Sequence, residues 1–301
     1  MSMKKFTKRA TDKNTFKDLG GFISFCSDFL SFISDPDNIQ AEIVSQNENQ
    51  YRFLQYKRDG SFQVTRPFNS NLLISADTFK QSANEFLKTI KSAKTSATTE
   101  ISSREIINTV TYTLQQSVGL ALDALPAGKS NKVRKLNGDM FEHLIRMILE
   151  TAGVSCRAGV VQVPVLIDGE EAFSMSYQHD LIVEQKDVVK LIGSVKTSSK
   201  DRIDKIFVDK FLYNKLTSSN VPHIAIFLND VQRKKTRREN EYGISSTFLP
   251  GHFKGYTVKL NPLDGVYYCD IRPNMQTEAV LKDHIRTFDN LIIDDIWKFL
   301  K

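Results

Sequence analysis

Cysteine is scarce in this 301-residue sequence. Cys26, Cys156 and Cys269 lie far apart, with no C-x-x-C pair and no Cys/His cluster. A structural zinc site needs such ligands at short spacing, so none is expected. An odd, sparse set of thiols fits a reducing cytosol and small buried side chains. No apolar run approaches membrane-spanning length. The N-terminal stretch MSMKKFTKRATDKNTFKDLG is basic but lacks the apolar core of a signal peptide. The expectation is a cytoplasmic protein with no membrane partner. No G-x-x-x-x-G-K-S/T loop is present, which argues against NTP use. The five histidines lack metal-ligand spacing, and no internal repeat is visible.

What is present describes a globular chain. Hydrophobic residues make up 41% and aromatics 10%, enough for a core. The length suits one large domain, or a core with an added subdomain. The formal charge of +6 suits an anionic partner, and fits an ordinary basic soluble protein equally well.

Patterning divides the chain near residue 130. Before it, 15–35 reads as a helix ended by Asp35-Pro36. The alternating stretch QYRFLQYKRDGSFQVTRPF reads as a hairpin about Asp59-Gly60. Residues 77–93 and 100–124 read as helices. The segment PAGKSNKVRK, 126–135, reads as a boundary. After it, LNGDMFEHLIRMILETAGV gives a helix capped by Asn137 or Asp139 and stopped by Gly153. Strand-like VVQVPVLI, AFSMSY, DLIVEQ and VVKLIGSVK follow, the last two joined as a hairpin through Lys186-Asp187. Then come the helix KDRIDKIFVDKFLYNKL, the strand HIAIFLND, the β-like GYTVKL and GVYYCDI, and helices from Thr277 onward. This order indicates a mixed α/β core. Residues 1–130 are expected to form an N-terminal subdomain and 131–301 the main domain.

In the predicted hairpin the start of one strand lies beside the end of the other. Asp180 opens the first, and Ser194 and Lys196 close the second on one face. Asp180 and Lys196 can converge at one sheet end. Such a pair can hold a metal and polarise a water, or it can be a surface salt bridge. Two further acids bear on the choice. Asp209 lies thirteen residues after Lys196 on the following helix, and Glu142 in the first turn of the helix near Asp139. Three carboxylates around one sheet mouth would suit Mg²⁺.

The ordered set Glu142, Asp180, Ser194-Val195-Lys196 and Asp209, with the run KTSSKDR from Lys196, resembles the PD-(D/E)xK nuclease superfamily. More narrowly it resembles the EcoRII-like type II restriction endonucleases reading CCGG, CCNGG and CCWGG sites. In that group a small residue replaces the middle acid, and the next helix supplies the carboxylate. The resemblance spans roughly residues 135–235. Two departures stand out: His179 occupies the usual proline position, and Asp209 stands where Glu is usual.

The resemblance implies a restriction-endonuclease-like fold, a mixed β-sheet core flanked by helices, with an N-terminal α+β subdomain. It implies Asp180 and Asp209 as Mg²⁺ ligands, and Lys196 stabilising the attacking hydroxide or the phosphate. Glu142 would orient a water or complete a second site, and Ser194 would act as a spacer. It also implies that Lys200, Asp201 and Arg202 read C and G edges, as the hydrogen-bonding capacity of those side chains permits. A charge-laced helix start would look the same.

The basic run QRKKTRREN, with Arg233, Lys234, Lys235 and Arg237, can grip phosphate or form a solvated loop. Tyr51, Phe53 and Tyr56 of the first hairpin can stack on a base or be half-buried packing. The expected function is Mg²⁺-dependent cleavage of double-stranded DNA at a palindromic CC/GG-core site. A palindrome calls for two-fold symmetry, hence a homodimer, with a tetramer also open. The alternatives are a repair or modification-dependent nuclease, or a DNA-binding protein without catalysis.

Overall fold

The computed structural model describes residues 2–58, 61–95, 100–126, 128–200, 202–236, 238 and 241–301; the side chains of 57, 58, 61–63 and 235 are outside that description. The chain begins with α1 (Met3–Thr11) and α2 (Leu19–Ser34). Four strands follow: β1 (Ala41–Val44), β2 (Tyr51–Arg58), β3 (Ser61–Val64) and β4 (Phe68–Asn69). Next come α3 (Ala76–Ser92), α4 (Ile101–Leu122) and α5 (Ser130–Thr151). Then β5 (Cys156–Ile167), β6 (Glu170–Gln185), β7 (Val188–Ser198), α6 (Ile203–Thr217) and β8 (His223–Asn229) succeed one another. A hairpin of β9 (Val231–Lys235) and β10 (Tyr242–Ser246) precedes α7 (Pro250–Lys259) and β11 (Gly265–Tyr268). The chain closes with α8 (Pro273–Thr277), α9 (Ala279–His284), β12 (Ile285–Thr287) and helical turns over 288–299. Among the described residues no helix is long and apolar enough to cross a membrane.

The elements form two compact units. One comprises 1–90, 98–147 and 231–247, the other 91–97, 148–230 and 248–301. In the first, α4 is buried on every face from Val110 to Leu122. Several of its polar side chains find partners inside. Gln115 Nε2 donates to the Asn137 side chain and carbonyl at 3.0 Å. Asn137 is thus a mid-helix core residue rather than a cap, because α5 starts seven residues earlier at Ser130. Arg66 makes a bidentate pair with Asp123 at 2.8 and 2.9 Å. Gly119 permits it: a Cβ there would stand 2.7 Å from the guanidinium. Phe6, Phe16, Phe22, Phe25 and Phe29 fill the space between α1 and α2. The N-terminal stretch, which showed no apolar run, is therefore helical and anchored by Phe6.

The first hairpin forms as expected. β2 pairs with β3 through Arg58↔Ser61, and the Asp59-Gly60 turn lies outside the described residues. Tyr51 and Phe53 pack with Val231 and Ile244 of the β9–β10 hairpin.

The second unit holds a six-stranded mixed sheet ordered β12-β11-β8-β7-β6-β5. β5, β6 and β7 are antiparallel, while β7, β8, β11 and β12 run parallel. β8 is buried throughout, as its near-continuous apolar sequence requires. α6 crosses from β7 to β8 and packs on one sheet face. Ile203, Ile206 and Phe207 meet Ala225 and Phe227, and Tyr213 meets Val163, Tyr177 and Ile192. Lys186 and Asp187 both adopt positive φ, 51° and 62°, as a two-residue type I′ hairpin turn demands. Gly153, at φ 90°, ends α5.

Two further expectations differ. AFSMSY and DLIVEQ are one continuous strand, β6. GYTVKL is helical, not β, because Pro250 opens a helix at its first turn and β-branched Thr257 packs inward on it.

Candidate active site

The site grows from the β6–β7 pair. Leu181 faces Gly193 and Ile182 faces Ile192, so Asp180 and Lys196 fall at the same end. Against β5, the register jumps from Arg157↔Ile182 to Gly159↔His179. One extra residue of β6 is therefore accommodated at Asp180–Leu181. Such a bulge re-aims a side chain. Here the Asp180 carboxylate turns to β7. Oδ2 accepts from the Val195 backbone N–H at 2.9 Å and from Lys196 Nζ at 2.5 Å. Both side chains stay partly open, Lys196 at 29% and Asp180 at 16% of full exposure. A partly solvated ammonium bonded to a carboxylate at a strand end can stabilise negative charge developing on a bound phosphate.

Asp209 stands on α6, with Oδ2 held by Lys205 Nζ at 2.5 Å, one helical turn away. His179, next to Asp180 on β6, is 6% exposed. Burial pulls its pKa below the ordinary value; the Asp209 and Asp180 carboxylates oppose that, in that order, and Lys205 reinforces it. Both carboxylates thus act on one imidazole, and Asp209 also acts on Tyr177. His179 stacks on Tyr177 and meets Tyr213 and His223 edge-on. His223 Nδ1 bonds the Val221 carbonyl at 2.9 Å, and burial holds its pKa at about 4. This His/Tyr cluster under the carboxylates was missed in the sequence. Only the adjacency of His179 to Asp180 hinted at it.

Among the described residues, no three His, Cys, Asp or Glu side chains gather as a ready metal site. Asp180 and Asp209 belong to the second unit. Glu142 lies half-buried on α5, within the first unit. The donors near Lys196 are carboxylate oxygens. Mg²⁺ takes one or two of these and completes its shell with water and phosphate, so Asp180 and Asp209 fit that ion in donor type.

Lys200 and Arg202 are exposed at the start of α6, where Arg202 is the N-cap residue; Asp201 lies outside the described residues. Ser199, between Lys196 and this pair, is buried, and the buried Tyr268 phenol faces it. At the neighbouring strand end Arg272 lies 3.8 Å from buried Asp230.

The remaining candidates divide. Tyr51, Phe53 and Tyr56 are 1%, 0% and 3% exposed, so they are core residues with no face for a base. Arg233 donates to the Val64 and Thr65 carbonyls and lies over the Tyr242 ring, which occupies it within its own unit. Lys234 is exposed; the Lys235 side chain and Arg237 lie outside the described residues.

The six-stranded mixed sheet flanked by helices is the restriction-endonuclease fold. The solved structure that shows this is the type IIP restriction endonuclease Kpn2I. It matches 99% of this chain and 97% of its own, with a TM-score of 0.72 at 16% identity. The complex of restriction endonuclease PspGI with substrate DNA matches 74% of this chain and 92% of its own. Its TM-score of 0.43, at 14% identity, is too low to assign a fold. No family model and no curated protein matches the sequence.

Proposed function

We propose that this chain is a Mg²⁺-dependent, site-specific endonuclease. It hydrolyses phosphodiesters of double-stranded DNA at a palindromic site with a CC/GG core. The observation that carries the reading is the Asp180–Lys196 pair at the bulged end of β6–β7. The restriction-endonuclease fold and the run KTSSKDR support it.

Lys196 presents its ammonium to the scissile phosphate and offsets the charge that builds on it. Asp180, anchored by the Val195 N–H, fixes the ammonium's position and forms one side of the cation site. Asp209 forms the other. Mg²⁺ bound there would supply Lewis-acid polarisation of the phosphate. Ser194 adds no bulk beside Lys196. Glu142 enters on the sequence resemblance alone, as a group orienting a water.

Lys200, Asp201 and Arg202 read base edges: Arg or Lys donates to guanine O6 and N7, and Asp accepts from cytosine N4. Lys234, with Lys235 and Arg237, contributes phosphate contacts. Residues 131–301 carry catalysis and 1–130 support DNA contacts or assembly. The active form is a homodimer acting on a two-fold site, in the cytoplasm where DNA is found.

The test is a digest of phage and plasmid DNA by the pure protein with Mg²⁺. Discrete fragments that vanish in EDTA, with end sequences sharing a CC/GG core, are expected. Intact duplex under all divalent cations would sink the reading.

A further inference from the structure

β5 and β6 outrun their sheet. β7 pairs with β6 only from Leu181 to Gln185, whereas β5 and β6 continue together from Gly159↔His179 to Ile167↔Glu170. The result is a two-stranded arm roughly 25 Å long at ~3.3 Å per residue. Its tip is a tight turn at Asp168-Gly169, with φ 54° and 88°. The root of one face is covered by α6 through Val163 and Tyr177. The other face and the tip are open. Val160, Leu166, Ile167 and Phe173 are 51%, 59%, 58% and 53% exposed. A hairpin this open is marginal in water by itself, and clustered large apolar side chains at its end mark a contact surface.

The charge of the arm selects the occupant. From Ala158 to Gln185 there is no Lys or Arg, in a chain that has 41. The arm itself, 159–179, holds the acids Asp168, Glu170 and Glu171. An acidic, cation-free ribbon is repelled by phosphate, so it does not enter a DNA groove. It fits a basic protein surface with apolar residues. The rest of this chain is more basic than the +6 of the whole, and it exposes Val258 and Leu260 beside Lys259. Edge-to-edge pairing is disfavoured, since Pro164 interrupts the open edge of β5 where an N–H would be needed. Tip-to-tip contact would oppose like charges.

We propose that the arm, through Leu166, Ile167 and Phe173 with Asp168, Glu170 and Glu171, docks on the body of a second copy of this chain. Two-fold symmetry makes the exchange reciprocal. The two reciprocal arm contacts must together bury at least about 1,000 Å² to form a specific interface. The tip residues must therefore carry much of the affinity. β6 runs unbroken from this tip to Asp180, so the docked arm also steadies the strand that bears the carboxylate.

The test is sedimentation equilibrium of the full chain without DNA or divalent metal, which keeps it separate from any nuclease activity. Wild type is expected to be a dimer at micromolar concentration. Leu166→Glu with Phe173→Glu, and separately Asp168→Lys with Glu170→Lys and Glu171→Lys, should each weaken the dimer about 100-fold or more. Circular dichroism checks that each variant is folded. A monomeric wild type, or a dimer untouched by either arm variant, would overturn the proposal. So would arm variants that stay dimeric but lose duplex binding, which would give the arm to DNA.

Discussion

At the residue scale, the account rests on an ammonium and a carboxylate that meet where β6 is kinked. The pair is partly solvated, so it contributes only ~0–1 kcal/mol to stability. Lys196→Ala should therefore leave urea unfolding within about 1 kcal/mol of wild type. Its single-turnover cleavage rate should fall about 100-fold or more. His223 behaves in the opposite way. Its pKa is about 4 in the fold against an ordinary 6.5, so the unfolded chain takes the proton first as pH falls. The stability from burying neutral His223 is full above pH 6.5 and is lost as pH drops toward 4. The loss is about 3 kcal/mol. Denaturant titrations of wild type and His223→Gln between pH 7.5 and 4 check this: the variant should lack that part of the slope. The Asp180–Lys196 pair was readable because the two residues lie on strands joined by a two-residue turn at Lys186-Asp187. The His179–Tyr213–His223 packing was not, because it joins three elements far apart in sequence.

At the element scale, the hairpins were the most legible features. A type I′ turn has a sequence signature, and strand alternation fixes the faces. The bulge at Asp180 has no such signature; it follows from β5 pairing on the far side. GYTVKL misled because β-branched residues within a short helix look like strand when the Pro250 start is overlooked. Gly193 is held to its size by neighbours: a Cβ would lie 2.9 Å from Leu181 Cδ2 and 3.3 Å from Ile224 Cγ1. Gly193→Ala should cost about 1–3 kcal/mol in denaturant unfolding, since both neighbours are buried. At the start of α6, Arg202→Ala should relax discrimination against a wrong base by ~1–3 kcal/mol. Cleavage rates on single-mismatch duplexes measure it, and an unchanged preference would remove Arg202 from the reading role.

At the scale of the whole molecule, the motif resemblance reached only residues 135–235, while the likeness to Kpn2I covers 99% of the chain. The gap has a physical cause. A core tolerates exchange of one apolar residue for another of similar volume, so the first unit keeps its architecture with few fixed letters. The letters of the proposed site would be less free to drift, because a phosphate needs a cation and a cation needs oxygen donors. The basic excess should make duplex affinity fall steeply with salt, about tenfold or more between 50 and 200 mM. A fluorescence-anisotropy series would show a straight line of log affinity against log salt; a flat series would remove the electrostatic part of the account.

The most direct test of the central claim uses one short duplex carrying the mapped site. Wild type and Lys196→Ala are compared for binding without metal and for single-turnover cleavage with Mg²⁺. The account predicts binding within a few-fold and cleavage slower by about 100-fold or more in the variant. Equal cleavage rates would contradict it, because the Asp180–Lys196 pair would then not be where the phosphodiester is broken.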